Sequence, residues 1–309
     1  MAYPIHRKLV IAVASSALFN LSESGRVYRE KGEDEYRKFQ REKQNVTLKK
    51  GVAFPFIRRF LSLNSIFPEE EPVEVVLLSH NDPDTGLRVF NSIRRYELNI
   101  TRAAFLSGGS PFRYIPAFNV SLFLSADPDD VREAIDAGFA AGTVLKTKVT
   151  DNPKDKELRV AFDFDGVIAN DAAEAVYSLN DSVDDFQAAE SRDAAIPLEP
   201  GPLNDLFKKL SFFQKMERKR EASDPDYKRV LRTAIVSARN APAHERMVTT
   251  LREWGVSADE TFFLGGINKD RVLKILKPHI YFDDQLSHLE SAAGSIPSVH
   301  IPFGVRNKK

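Results

Sequence analysis

One pattern of short apolar strands, each followed by polar residues and then by a helical segment, occurs twice along this chain. Strands that alternate with helices are typical of an α/β fold with a largely parallel sheet. The carboxyl ends of such strands meet at one edge of the sheet, which is where open α/β sheets bind ligands. The sequence therefore predicts Rossmann-like parallel sheets flanked by helices, arranged in two related halves.

The two halves align in order without large gaps. Stretch 10–20 matches 160–170 at a shift of 150 residues, and position 79 with stretches 106–109 and 122–126 matches 237, 264–267 and 280–284 at a shift of 158. We therefore predict a first half, 1–150, with a helical insertion at about 21–72. The second half is 151–309. Its insertion at about 171–229 directly follows the first strand, which is typical of a helical cap over an active site.

The first strand of the second half ends in two acids, Asp163 and Asp165, followed at once by Gly166. Residues i and i+2 of a strand point to the same side. Like charges are rarely placed together except around a cation or to separate two pKa values for chemistry. The aligned positions of the first half are Val13 and Ser15. We therefore expect the second half to catalyse and the first to be degenerate.

Three further polar positions follow strands of the second half: Ser237, Lys269 and the pair Asp283–Asp284. Together with the two acids they suit phosphate-ester hydrolysis, in which a carboxylate nucleophile must approach a phosphate dianion. Mg²⁺ prefers oxygen ligands and would neutralise that charge. The predicted metal ligands are Asp163, the main-chain carbonyl of Asp165, and Asp283 or Asp284.

The remaining groups have predicted roles in the same reaction. Ser237, the Ala238 amide and Lys269 would bind phosphate oxygens, and Asp165 would protonate the leaving oxygen and later activate water. Each position taken singly has a simpler explanation. An Asp-x-Asp-Gly sequence also occurs in turns and calcium loops, Ser237 and the Asp283–Asp284 pair could cap helices, and Lys269 could be solvated. Their order, each just past a strand, favours one site.

These four motifs resemble those of the haloacid-dehalogenase (HAD) superfamily of phosphatases, whose first motif is Asp-x-Asp-Gly-(Thr/Val). Nearly the whole chain is similar, more narrowly, to the cytosolic 5′-nucleotidase I family and its bacterial relatives. The stretches that carry this resemblance are 81–93, 100–105, 162–167, 196–203, 236–242 and 281–285.

The resemblance implies Mg²⁺-dependent hydrolysis of nucleoside 5′-monophosphates through an aspartyl-phosphate. It assigns the nucleophile to Asp163, the acid/base to Asp165, the phosphate contacts to Ser237 and Lys269, and the metal to the Asp283–Asp284 pair. Arg239 and Asn240, next to Ser237, are predicted to touch the ribose or phosphate. The aromatic residues of the insertion could stack on a base, although packing within the cap is favoured for them: Phe186, Phe212 and Phe213.

The first half has polar residues of its own at predicted strand ends: Asn81, Asp82, Thr85, Arg88 and Ser107–Gly109. They face the position of a lost active site. The hypothesis is that this cluster has become a nucleoside or nucleotide-effector site.

Composition excludes several other classes of protein. Lys+Arg and Asp+Glu are both 44, so the chain has no excess of basic residues. This argues against binding to a nucleic-acid polymer or to a membrane surface. There is no cysteine, and the six histidines form no HExxH motif, which argues against a zinc site. Residues 6–19 resemble a short signal peptide. The internal repeat instead favours a buried strand at 9–14, and we therefore expect a cytoplasmic protein.

Two alternatives to a 5′-nucleotidase are compatible with the sequence. One is a HAD phosphatase for another small phosphate ester, such as a sugar phosphate. The other is a non-catalytic nucleotide-sensing module, which the complete motif set of the second half argues against. The sequence does not indicate which base is preferred or how the protein is regulated. A homo-oligomer is possible, but the sequence does not give the oligomeric state.

Overall fold

The computed structural model describes residues 4–147, 151–172 and 183–307. The chain forms two compact units, Met1–Val144 (unit 1) and Leu145–Lys309 (unit 2). The sequence placed the boundary at 150/151, next to residues 148–150, which lie outside the described part. Residues 173–182 of the expected cap also lie outside it.

Unit 1 is built around a parallel sheet. Its strands are β1 (Leu9–Val13), β2 (Phe19–Asn20), β3 (Lys49–Lys50), β4 (Val73–Ser79), β5 (Arg102–Phe105), β6 (Val120–Ser125) and β7 (Ala141–Val144), and its α-helices are α1 (Ser15–Leu18), α2 (Ser22–Glu42), α3 (Phe54–Ile66), α4 (Pro83–Arg95) and α5 (Pro128–Asp136). Among the described residues, β5-β4-β1-β6-β7 pair in parallel in that order. Strands β2 and β3 form a separate antiparallel pair.

Unit 2 has the same arrangement. Its strands are β8 (Leu158–Phe162), β9 (Leu231–Ser237), β10 (Glu260–Phe263), β11 (Ile280–Asp283) and β12 (Ser298–His300), and its α-helices are α6 (Val183–Arg192), α7 (Asn204–Ser223), α8 (His244–Glu253), α9 (Asp270–Leu276) and α10 (Leu286–Ala292). The described strands pair in parallel in the order β10-β9-β8-β11-β12.

Numbered within its own unit, each sheet runs third, second, first, fourth, fifth. The order reverses between the first and fourth strands, which are β8 and β11 in unit 2. Ligands of open α/β sheets bind at such a reversal, beyond the carboxyl ends of the two strands. The expected α/β fold with parallel sheets flanked by helices is confirmed, and the topology directs attention to the residues that follow β8 and β11.

Helices cover both faces of the unit 2 sheet. Helices α9 and α10 contribute Leu273 and Leu289 to a core with Ala161 and Ala234 of the strands. On the opposite face, α7 packs through Phe207, whose ring lies 5.4 Å from that of Phe162 of β8. Helix α7 falls within the segment 171–229 that the sequence assigned to a cap, yet it is the crossover helix between β8 and β9.

The connection into that crossover helix is the same in both units. The Gly201 amide donates to the Ile168 carbonyl at 2.9 Å, and the Gly51 amide donates to the Leu18 carbonyl at 2.9 Å. A Cβ on Gly201 would lie 2.3 Å from the Ala169 carbonyl oxygen, so no larger residue fits there without moving backbone. Glycine is needed here for close approach of two chain segments rather than for an unusual φ.

The N-terminal segment forms the buried strand β1. The helical insertion expected at about 21–72 contains α3 and α2, and α2 is kinked at Gly32, where φ is +82°. Strand β7 was not anticipated. Within the described residues, no helix has the length and apolar character that crossing a bilayer requires.

We expect Gly201→Ala to lower the free energy of unfolding by at least about 2 kcal/mol, because its methyl group overlaps backbone atoms that cannot relax independently. Gly294→Ala is the control, since a Cβ there meets nothing within 4 Å, and it should change stability by less than about 0.5 kcal/mol. Urea unfolding measures both. Equal effects would contradict the close approach at Gly201.

Candidate active site

Two buried acids follow the strands at the reversal point of the unit 2 sheet. Asp163 comes directly after β8, and Asp283 is the last residue of β11; they are 4 % and 0 % exposed. Their strands are neighbours, and the Asp163 amide donates to the Phe282 carbonyl at 2.7 Å. The strand pairing therefore holds both carboxylates at the same edge.

Lys269, the residue before α9, connects the two acids. Its Nζ lies 2.6 Å from Asp163 Oδ2 and 2.9 Å from Asp283 Oδ2. Burial alone would lower the pKa of this lysine, but the two carboxylates outweigh burial and raise the pKa above its ordinary value. Lys269 is thus a permanent buried cation.

Asp283 has further partners that favour its charged form. It accepts hydrogen bonds from the Tyr281 hydroxyl and, at 2.8 Å, from the Gln285 amide, and His288 Nδ1 lies 3.2 Å from its Oδ2. Burial works to raise the pKa of Asp283, but Lys269, His288 and Tyr281 together hold it well below the ordinary value. Asp283 is therefore the acid that stays ionised.

Asp163 has the opposite electrostatic balance. Burial raises its pKa to about 7, with the negative charges of Asp283 and Asp165 adding to burial and Lys269 opposing it. Two carboxylates around one ammonium leave one negative charge in excess, and a bound cation would offset it. Asp163, Asp283 and His288 each offer a ligand atom, all within 4.8 Å of one another. The donor set fits a divalent cation.

Gly166 lets the chain turn away after Asp165. Its φ is +72°, and a Cβ there would lie 2.6 Å from Asp284 Oδ2. Asp284 itself is buried beside this turn, and its main-chain carbonyl accepts hydrogen bonds from His300 Nε2 and, at 2.9 Å, from Asn307 Nδ2. The Asp284 carboxylate is not in the group with Asp163 and His288.

Asp165, the second acid of the motif, is paired with an arginine. Arg239 Nε donates to Asp165 Oδ2 at 2.8 Å, and its Nη2 donates to Oδ1 at 2.7 Å. Nη1 of the same guanidinium donates to Glu190 of helix α6 and, at 2.8 Å, to the Ala243 carbonyl. The arginine is buried and links the acid to the only described helix between 171 and 203.

A cavity of about 370 Å³ opens above this edge of unit 2. The predicted residues that line it are Asp165, Ala238, Arg239 and Asn240, and they are joined by Phe186, Gly265, Gly266, Gln285, His288 and Arg306. Ser237, predicted to bind phosphate, is fully buried at the end of β9, where its Oγ accepts from the Arg239 amide at 3.2 Å.

The three aromatic residues considered for base stacking have different surroundings. Phe186 of α6 lines the cavity, with its ring 5.6 Å from the Arg239 guanidinium carbon. Phe212 and Phe213 lie next to each other on α7 and line no part of this cavity; Phe213 is buried and Phe212 is exposed.

The polar residues at the strand ends of unit 1, considered as an effector site, include several that make contacts within the unit. Asp82 accepts from the Thr85 amide at 2.8 Å and caps α4. Arg88 donates to the Val46 carbonyl at 3.0 Å and to Gln40 Oε1 at 3.2 Å. These contacts give Asp82, Thr85 and Arg88 partners within unit 1, and the hypothesis of a nucleotide-effector site stays a prediction.

Three residues at the site were not singled out from the sequence: Glu190, Tyr281 and His288. Tyr281 lies two residues before Asp283 on the same strand, so the two-residue period of a strand places it on the same side. His288 lies in the first turn of α10. No sequence pattern pointed to Glu190, because a single acidic residue in a highly charged helix is expected to be exposed to solvent.

Comparison with known proteins agrees with the motif analysis. A sequence model of the family described as 5′-nucleotidase matches residues 1–308. A human protein named cytosolic 5′-nucleotidase 1B is 33 % identical over 290 residues, which cover 92 % of this chain and 47 % of that protein. The chain thus spans about half the length of this curated relative. No solved structure matches the chain significantly.

We expect the metal-free protein to be stabilised by Asp163→Asn, increasingly so as the pH rises from 5 to 8. The folded pKa of Asp163 lies above the ordinary carboxyl value. Folding therefore takes up a proton between those values, and the wild type loses up to about 1.4 kcal/mol per pH unit across this range. Asparagine removes that loss and leaves Lys269 paired with Asp283. Urea unfolding in EDTA measures the difference, and a gap that does not widen with pH would contradict the assignment.

Proposed function

The chain belongs to the 5′-nucleotidase family, as its resemblance to the cytosolic 5′-nucleotidase I family indicated, and we propose that it is a Mg²⁺-dependent 5′-nucleotidase. It would hydrolyse nucleoside 5′-monophosphates to nucleoside and phosphate through an aspartyl-phosphate. The observation that carries this proposal is the buried Asp163–Lys269–Asp283 cluster at the sheet reversal. Asp165 and His288 beside it line a cavity large enough for a small ligand.

The excess negative charge of the cluster supports a metal-dependent reaction, and its carboxylate oxygens favour Mg²⁺. Asp163, the Asp165 main-chain carbonyl and Asp283 would hold the ion, and the group of Asp163, Asp283 and His288 supports Asp283 over Asp284 as the direct ligand. When bound, Mg²⁺ would neutralise charge between the nucleophile and the phosphate.

In the first step, an Asp163 carboxylate oxygen attacks phosphorus while the bond from phosphorus to the 5′ oxygen breaks. That oxygen takes a proton from Asp165, and the nucleoside leaves. Lys269, the Ser237 hydroxyl and the Ala238 amide stabilise the phosphoryl oxygens. The 5′ oxygen of a nucleoside is a poor leaving group, so the proton from Asp165 is essential at this point.

In the second step, Asp165 accepts a proton from a water molecule, which attacks phosphorus. The bond between phosphorus and Asp163 breaks, phosphate departs, and Asp165 is protonated again for the next cycle. Arg239 and Asn240 in the cavity wall are the proposed contacts to the substrate.

The human relative is named as a cytosolic protein, and this supports a cytoplasmic location for this chain too.

The proposal is tested by phosphate release from purine and pyrimidine nucleoside 5′-monophosphates and from sugar phosphates, with Mg²⁺ or with EDTA. We expect turnover of the nucleotides with Mg²⁺ and loss of turnover in EDTA. Asp163→Asn should lower kcat by at least about 1000-fold, because the variant lacks the nucleophile.

Asp130→Asn is the matched control. Asp130 is a buried acid of unit 1, where it pairs with Ser125 and His80, so its variant should keep kcat within about twofold. Turnover by Asp163→Asn would disprove the assigned nucleophile. Faster turnover of sugar phosphates than of every nucleotide would instead disprove the substrate class.

A further inference from the structure

A line of alternating charges runs from Arg246 of helix α8, through Glu190 of helix α6, to the second acid of the motif. Arg246 Nη1 lies 2.8 Å from one oxygen of Glu190, whose other oxygen contacts Arg239. Arg239 in turn holds both oxygens of Asp165. The order is Arg246, Glu190, Arg239, Asp165.

The middle of this line is buried. Glu190 is 2 % and Arg239 3 % exposed, and the rings of Phe164 and Phe186 each lie 5.6 Å from the Arg239 guanidinium carbon. Buried ion pairs seldom add net stability over neutral residues of similar shape. Charges at this depth therefore call for a role other than holding the fold.

Unit 1 contains a related network in which only the outer residue is charged. At the positions aligned with Arg246, Glu190 and Arg239 it has Arg88, Gln40 and Asn81, and at that of Asp165 it has Ser15. Gln40 Oε1 accepts from Arg88 Nη1 at 3.2 Å. Its Nε2 reaches the Tyr36 hydroxyl, which donates to Asn81 at 2.9 Å.

The network of unit 1 shows that this fold accommodates glutamine at the place of Glu190. The outer arginine is present in both units and makes the same second contact, since Arg246 Nε donates to the Ile196 carbonyl and Arg88 Nε to the Val46 carbonyl. The charges of Glu190 and Arg239 accompany Asp165 and are absent where serine replaces it.

We propose that Glu190 is a positioning residue for Asp165 and acts through Arg239. Glu190 and the Ala243 carbonyl fix Nη1 of the guanidinium, so that Nε and Nη2 face the acid and set the direction of its oxygens. This inference rests on the proposed phosphatase mechanism, in which Asp165 gives a proton to the leaving oxygen and later takes one from water.

The proposal makes the leaving group a diagnostic. A nucleoside 5′ oxygen needs the proton from Asp165 when its bond to phosphorus breaks, whereas 4-nitrophenolate leaves without protonation. A misdirected Asp165 should therefore slow transfer of phosphoryl from a nucleotide to Asp163. With 4-nitrophenyl phosphate that transfer should stay fast, and only hydrolysis of the aspartyl-phosphate, which needs Asp165 as a base, should slow.

The test is Glu190→Gln, which introduces the residue found in unit 1. With nucleoside monophosphate we expect kcat to fall about 10- to 100-fold, while KM changes less than about threefold. With 4-nitrophenyl phosphate we expect a rapid first equivalent of nitrophenolate at the wild-type rate, followed by slower turnover. The size of the burst counts folded sites, so partial misfolding does not mimic the effect.

Arg246→Gln is the control, because it removes the other ion pair of Glu190 but leaves the line from Glu190 to Asp165. It should keep kcat within about threefold. The proposal is overturned if Arg246→Gln loses as much activity as Glu190→Gln, if the Glu190→Gln burst slows as much as its nucleotide reaction, or if Glu190→Gln keeps full activity.

Failure of the proposed function gives a different result. If the wild type hydrolyses 4-nitrophenyl phosphate but no nucleoside monophosphate, the substrate class is wrong. The role of Glu190 is then still decided by the burst and the later turnover with 4-nitrophenyl phosphate, which must again separate in Glu190→Gln and not in Arg246→Gln.

Discussion

The contact of the Lys269 ammonium with Asp163 and Asp283 is the interaction on which the candidate active site depends. A buried ammonium is costly unless carboxylates surround it, and each buried carboxylate is costly without the ammonium. The cluster is possible because β8 and β11 are neighbours at the sheet reversal and α9 begins beside them. With both carboxylates ionised it carries one negative charge in excess, so the same contact that holds the acids together also makes a place for a cation.

Unit 1 shows what happens when that charge set is absent. The positions aligned with Asp163, Lys269 and Asp283 carry Val13, Pro111 and Ser125. The three have changed together, as expected if any one charge left alone in the interior would be destabilising. The backbone contact before the crossover helix is nevertheless the same in both units. The Gly51 amide before α3 donates to the Leu18 carbonyl, and the Gly201 amide before α7 donates to the Ile168 carbonyl. Fold and charge cluster are therefore separable.

The sequence was sufficient for the parts of the structure that depend on local pattern. The strands of unit 2 are apolar runs, and their ends brought Asp163, Lys269 and Asp283 to one edge. Strand β7 was missed because it is short and begins with Ala141 and Gly142, which disfavour strands, so that its pairing with β6 defines it. Glu190 was missed for a related reason, since only the folded chain shows that this helix charge is buried against an arginine 49 residues away.

The two helices of the segment first assigned to a cap are attached to unit 2 by different forces. Helix α7 is held by core packing at Phe207 and by Glu217, which accepts from the Val230 amide at 2.8 Å. Helix α6 is held by the ion pairs of Glu190 and by Gln187, which donates to Asn240 at 3.0 Å. The contacts to Arg239 and to Asn240 end on residues that line the cavity. Changes in α7 should therefore act on stability, whereas changes in the polar face of α6 should act on Arg239 and Asn240, the residues proposed to contact the substrate.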